Sequence, residues 1–341
     1  MKKPMRMLVQ AAVVLTTLAT AASAHAEAEF KLRWGHYLGN SKFLTPEQNF
    51  AKAIEERTKG RVTIEIAYAG ALGKGNELLT LAGRGAIDMA SVVPGYYADQ
   101  LRFWKAFQIP FIFNSSKQAI DVSIASYKEL PMFKAELDKM NVEFLFHQPL
   151  GEYYLTGPSP DCDTVEGLKG KKIRSFGADI PKAQSAIGAV PVTIGVGDIY
   201  EALQRGNLDY SFINPGNILA TKIYEPGKYS CGPIMAIAGH LIVIGKRTWA
   251  RLPKDIQDIF LDQAAKSQAE YIPFLNKIES DSKAEIEAKG GVFKPFPAAE
   301  MAKWRAAAPD LLEGWVKDME GKGQGAEAAA VAKRWRELTA N

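Results

Sequence analysis

Val62-Thr63-Ile64-Glu65-Ile66-Ala67-Tyr68 alternates apolar and polar residues, the period-two pattern of a strand with one covered face. Helical segments flank it. Before it, Thr45-Pro46-Glu47-Gln48 reads as a capping box with proline at the first helical position, opening a helix that runs to Thr58 and stops at Gly60. After it, a glycine-punctuated turn from Gly70 to Gly75 leads into a short helix at 76–83 and a strand at 86–93, while residues 31–36 supply the first strand. Strand and helix taking turns in this order predict an α/β lobe with a largely parallel sheet.

The same rhythm returns after a break near 148–157. Strands are expected at 172–176, 190–194 and 208–213, with helices at 179–187 and 198–205 between them, which makes a second α/β lobe. The apolar run 236–245 is long enough to lead back into the first lobe. Residues 254–288 are helical in pattern with Pro273 as a kink, and 298–338 are rich in helix formers and alanine. No repeat of fixed period and no low-complexity linker is visible.

Residues 1–26 read as a secretory signal peptide: Lys2, Lys3 and Arg6 precede an uncharged stretch from Met7, and Ala22-Ser23-Ala24 and Ala24-His25-Ala26 both offer a small-x-small cleavage pattern. Cleavage is expected near Ala26. Beyond it every apolar run is broken well short of the roughly 18 residues that span a bilayer, so an exported, soluble protein is expected. Removing Lys2, Lys3 and Arg6 from 42 basic residues leaves 39 against 38 acidic ones. Such a balance gives no general field for nucleic acid or an anionic membrane surface. The two cysteines, Cys162 and Cys231, permit one disulfide in an oxidising compartment; the alternative is two buried thiols.

Catalytic signatures are missing. The four histidines are His25, His36, His147 and His240, and the chain has no His-Glu-x-x-His, paired Cys-x-x-Cys, Gly-x-Ser-x-Gly or P-loop motif. No cofactor or metal is called for. Two lobes joined by more than one crossing, without such a signature, suggest a protein that closes around a ligand.

Several blocks align, in order, with one family. They are Gly60-Arg61-Val62-Thr63-Ile64-Glu65-Ile66, Gly85-Ala86-Ile87-Asp88-Met89, Ile109-Pro110-Phe111-Ile112-Phe113, Leu168-Lys169-Gly170-Lys171-Lys172-Ile173-Arg174, Gly188-Ala189-Val190-Pro191-Val192, the stretch from Ile199-Tyr200-Glu201-Ala202-Leu203 to Asp209, and Arg251-Leu252-Pro253-Lys254-Asp255-Ile256-Gln257. Together, over essentially the whole mature chain, they resemble the DctP-type substrate-binding proteins of tripartite ATP-independent periplasmic (TRAP) transporters. The resemblance implies a two-lobed periplasmic-binding-protein-like α/β fold with the ligand cleft between the lobes. It also implies a monomeric periplasmic receptor that captures an organic acid and delivers it to a two-subunit membrane permease. One lobe would be 27–150 plus about 240–279, the other 151–239 plus about 280–341, with a long helix spanning both. A ligand-binding partner of a sensor kinase is a second reading, and a periplasmic enzyme acting on a carboxylic acid is a third.

Taken alone, Gly170-Lys171-Lys172-Ile173-Arg174 reads as a solvated strand end. The resemblance implies that Arg174 grips the ligand carboxylate, a role suited to a planar guanidinium that donates bidentately. Asn214, in Phe212-Ile213-Asn214-Pro215, matches the family's asparagine at a spacing one residue longer and would donate to the same carboxylate; the alternative is a turn residue before Pro215. Many family members carry a second arginine where this chain has Tyr153. Losing that cation argues for a monocarboxylate with an apolar or aromatic body and against a dicarboxylate that needs two clamps, unless Lys74 supplies the second charge; a C4-dicarboxylate or sugar-acid receptor of the same family is the alternative. Aromatic residues on loops expected to face the cleft, Trp34, His36, Tyr37, Tyr96 and Tyr97, complete the candidate site, whereas Phe103 and Trp104 belong to the core.

Overall fold

The computed structural model describes residues 28–340, so the leader segment expected at 1–26 lies outside the described residues. Eleven strands are present among them: β1 (Phe30–Gly35), β2 (Val62–Ala67), β3 (Met89–Val92), β4 (Val142–Gln148), β5 (Tyr153–Gly157), β6 (Lys172–Ser175), β7 (Val190–Thr193), β8 (Ser211–Ile213), β9 (Tyr229–Met235), β10 (His240–Gly245) and β11 (Val292–Pro295). The first sheet has the order β2-β1-β3-β10-β4. Its β1 runs parallel to β2 and β3, while β10 returns from the second lobe and pairs antiparallel with β3 and β4. In the second lobe β11-β9-β5-β8 form one sheet and β6-β7 a parallel pair, joined to it where Ile173 bridges Tyr210.

Four strands were not expected from the sequence: β4, β5, β9 and β11. The reading of 148–157 as a break is corrected, because β5 forms the middle of the second sheet. All five of its residues are buried. A strand covered on both faces carries no alternation to reveal it. The sheet there is also not mainly parallel, since β5 pairs antiparallel with β8 and β9.

The capping box at Thr45 does not form. The helix Thr45–Arg57 starts after Leu44, the Thr45 hydroxyl donates back to the Lys42 carbonyl at 2.8 Å, and Glu47 is fully buried. Gln48, whose side chain a capping box would turn back to the helix start, instead donates its Nε2 to Asn40 Oδ1 at 2.8 Å.

Four segments join the lobes, one of them the short link 308–310 between C-terminal helices. Residues 149–152 and 236–239 are the strand crossings, and the 35-residue helix Lys254–Ala288, about 52 Å long, spans both lobes. Its Ile256, Phe260, Ala264 and Tyr271 pack in the first lobe, and Leu275 and Ile286 in the second. Pro273 falls at the changeover, inside the continuous helix. Among the described residues no helix is long and apolar enough to cross a membrane.

The C-terminal helices divide, which corrects their expected assignment to the second lobe. Trp304, in Ala298–Ala307, donates its indole N–H to the Ala183 carbonyl and packs in the second lobe. Helices Leu311–Glu320 and Gly325–Thr339 lie on the first lobe instead: the Trp335 ring is 4.4 Å from that of Phe107, and its Nε1 donates to Ser126 Oγ at 2.9 Å. The aromatic segment around Trp104 and Phe107 needs a cover, and these helices bring Trp315 and Trp335 to it. In the second lobe Cys162 and Cys231 form a disulfide across a separation of 69 residues.

Candidate functional site

Residues from both lobes converge on a narrow cavity of about 10 Å³ between them. The first lobe supplies Tyr37, just past β1, Tyr96, past β3, and His240, the first residue of β10. From the second come Tyr153 on β5, Arg174 and Phe176 on and after β6, and Asn217 in the turn of helix that follows β8. Tyr37, Tyr96 and Phe176 follow the carboxyl ends of their strands, where open α/β sheets form their crevice.

Arg174 is the only cation of the lining and is 2% exposed. Its side chain is held by the fold. Nη1 donates to the Phe212 carbonyl at 3.1 Å, Nε to the Ile194 carbonyl at 3.3 Å, and the guanidinium carbon stands 4.3 Å from the centre of the Phe176 ring. Two carbonyls engage two of the five N–H donors of a guanidinium. Among the described residues no carboxylate pairs with Arg174. A buried charge without a counter-charge is costly unless something compensates it, and an anion reaching this cavity meets a preformed donor. Lys171 and Lys172 stay at the surface, where the Lys172 ammonium donates to the Gly206 carbonyl.

The phenols are neutral. Burial pushes the Tyr153 hydroxyl well above its usual range, and the nearby Arg174 charge only partly offsets this. Tyr37 behaves alike. His240 is neutral too, its pKa lowered to about 3 by burial first and then by the neighbouring His36 and Arg174 charges. The Tyr153 ring packs against Phe176 and Phe212 at 5.7 and 5.2 Å, an aromatic wall beside the cation.

The remaining candidates separate. Tyr37, Tyr96, Tyr153 and Arg174 meet in the cavity. His36 lies behind it: its Nδ1 accepts the Leu38 N–H at 3.0 Å and its ring stacks on Tyr37 at 5.5 Å. Lys74 is exposed at the cleft mouth, a space of about 710 Å³ that shares Tyr37 and Tyr96 with the cavity and is bounded by Gly195-Val196-Gly197. Trp34 is core, fully buried between Phe50 and Phe146 with its indole N–H on Ser91 Oγ. Tyr97 is core as well; its hydroxyl donates to the Gly75 carbonyl and accepts from the Leu79 N–H. Trp34 precedes the loop and points to the covered face, while Tyr97 turns back under the short helix 78–84.

Asn214 is not in the cavity either. Its Nδ2 donates to Glu279 Oε1 on the long helix at 2.7 Å, and its Oδ1 accepts from Asn217 Nδ2 at 2.7 Å, so both ends of the amide are engaged. It ties the second lobe to the helix, and Asn217 lines the cavity instead. Phe176, Asn217 and His240 escaped the sequence reading. Phe176 shares the period-two face of Arg174 and was within reach of that argument; His240, at the end of an apolar strand, reads as an ordinary core histidine.

Two α/β lobes with a cavity lined from both sides and anchored by one buried cation define a two-lobed solute-binding receptor. Residues 38–318 match DctP, described as bacterial extracellular solute-binding protein, family 7, and the chain belongs to that family. Its members are binding proteins, not enzymes. A C4-dicarboxylate-binding periplasmic protein DctP of Rhodobacter capsulatus is 24% identical over 337 residues, covering 96% of this chain and 98% of that protein. A Bordetella pertussis extracytoplasmic solute receptor binding pyroglutamic acid superposes with a TM-score of 0.80 at 18% identity, covering 90% of this chain and 99% of that one. A TRAP solute-binding protein of Rhodoferax ferrireducens T118 in complex with copurified benzoate superposes with a TM-score of 0.81 at 19% identity, over 91% and 97% of the two chains.

Proposed function

We propose that this protein is the periplasmic receptor of a TRAP transporter for a small monocarboxylate with an apolar or aromatic body. The mature chain starts near residue 27 and delivers its ligand to the membrane permease. The observation that carries this reading is the buried Arg174 guanidinium, held by two backbone carbonyls and facing a cavity whose other walls are aromatic or uncharged. Tyr153, at the position where many relatives carry a second arginine, offers a ring and a neutral hydroxyl where a dicarboxylate needs a cation. Benzoate and pyroglutamic acid, bound by two of the structural neighbours, are small monocarboxylates.

Because the walls come from both lobes, a bound ligand favours the closed arrangement by the contacts it makes only there. Lys74 supports a second reading. A C4-dicarboxylate anchored on Arg174 and extending past Tyr96 into the mouth would meet its ammonium.

The test is a thermal-shift screen of the mature protein, freed of copurified ligand, against monocarboxylates, dicarboxylates, sugar acids, amino acids and neutral sugars. A ligand at about 100 times its Kd adds roughly 2.7 kcal/mol, a shift of several degrees. Hits among small monocarboxylates that vanish in Arg174→Ala are expected. Hits confined to dicarboxylates would transfer the second charge to Lys74, and hits confined to neutral sugars would overturn the reading.

A further inference from the structure

Behind Tyr37 lies a short chain of buried polar groups whose hydrogens can be assigned. Gln148 Oε1 is 2.7 Å from His240 Nδ1. A carbonyl oxygen only accepts, so the proton sits on Nδ1. His240 is buried beside Arg174 and carries a single ring proton, which leaves Nε2 with a bare lone pair. The Tyr37 hydroxyl stands 3.0 Å from each ring nitrogen; with the Nδ1 proton directed at Gln148, the hydroxyl donates to the bare Nε2. A phenol has one hydrogen, and here it is spent away from the ligand.

We propose that Gln148 and His240 act as positioning residues that fix Tyr37 as a hydrogen-bond acceptor toward the cavity, so that the receptor prefers an acid with a donor beside the carboxylate, a 2-hydroxy acid or a cyclic amide, over the matching 2-oxo acid. The proposal rests on the reading of Arg174 as the carboxylate anchor. With the carboxylate on Arg174, the 2-substituent lies within the same small cavity as Tyr37. A hydroxyl or N–H there donates to the Tyr37 oxygen. A 2-oxo group sets lone pair against lone pair and leaves two buried acceptors unpaired, which costs more than the bond itself is worth.

Calorimetry on the full mature protein with three matched pairs tests this: lactate and pyruvate, 2-hydroxyisovalerate and 2-oxoisovalerate, mandelate and phenylglyoxylate. The 2-hydroxy member of any pair that binds is expected to bind at least about tenfold tighter. Tyr37→Phe, which keeps the ring, is expected to bring that ratio near one, and Gln148→Leu to lower it. A purely structural effect would weaken both members equally. Nitrogen-15 NMR of His240 gives a second readout: protonation at Nδ1 is expected, and a proton at Nε2 overturns the relay whatever the affinities. Equal or tighter binding of the 2-oxo members also overturns it. If the acids bind equally well to the protein and to Arg174→Ala, the anchor reading fails and this proposal falls with it, a result distinct from a changed ratio.

Discussion

The guanidinium of Arg174 rests 4.3 Å from the centre of the Phe176 ring, so the anchor is stacked by a residue two positions further along its own chain. The face of the ring attracts the cation and its bulk excludes water. Replacing Arg174 with alanine should weaken carboxylate binding by roughly 2 to 5 kcal/mol, about 30-fold to several thousand-fold in Kd. Lysine keeps the charge but loses the fork and the stack, and should recover only part of the loss. Isothermal titration with the best acid from the screen measures both; a loss under threefold for Arg174→Ala would return Arg174 to an ordinary buried strand residue.

Glu47 gives a pH signature of known sign. Burial raises its carboxyl from 4.5 to about 8, with the Tyr271 hydroxyl offsetting part of the rise. The folded state therefore holds a proton that the unfolded chain releases, and stability from this group is full below about pH 4.5 and lost as pH rises toward 8. His36, His147 and His240, held down to about 3 by burial, act oppositely, their contribution being lost as pH falls below 6.5. In Glu47→Gln the fall in unfolding free energy between pH 5 and 8.5 should be smaller than in the parent by about 3 kcal/mol. Urea titrations at the two pH values measure it, and parallel profiles would mean Glu47 is ionised in the folded protein.

The disulfide between Cys162 and Cys231 closes a loop of 69 residues within the second lobe. By the chain-entropy relation its loss should cost on the order of 4 kcal/mol. The double Cys→Ser variant should melt several degrees lower, while reductant should leave that variant unmoved. Equal melting of both proteins would contradict the entropic account.

Trp335 anchors the last helix to the first lobe, fully buried against Phe107, Phe113 and Trp315. Trp335→Ala should cost about 3 to 5 kcal/mol by chemical denaturation, as for other buried tryptophans. A cost below 1 kcal/mol would mean the C-terminal helices contribute little to the first lobe.

How far the sequence reaches differs from element to element. It determined that strands and helices alternate in two groups, because half-covered strands such as β2 and amphipathic helices write their period into the chain. It brought out the long helix with Pro273, the cysteine pair and the strand bearing Arg174, each a local pattern. It did not reveal β5, which is covered on both faces, or the position of helices 311–339, whose partners lie about 200 residues away. Only the tertiary structure decided that Trp34 is core while Tyr37, three residues on, faces the cavity, and that Asn214 grips Glu279 while Asn217 takes the cavity wall. Periodicity tells which side chains share a face; what lies over that face depends on packing between distant segments, and that is settled only when the chain is folded.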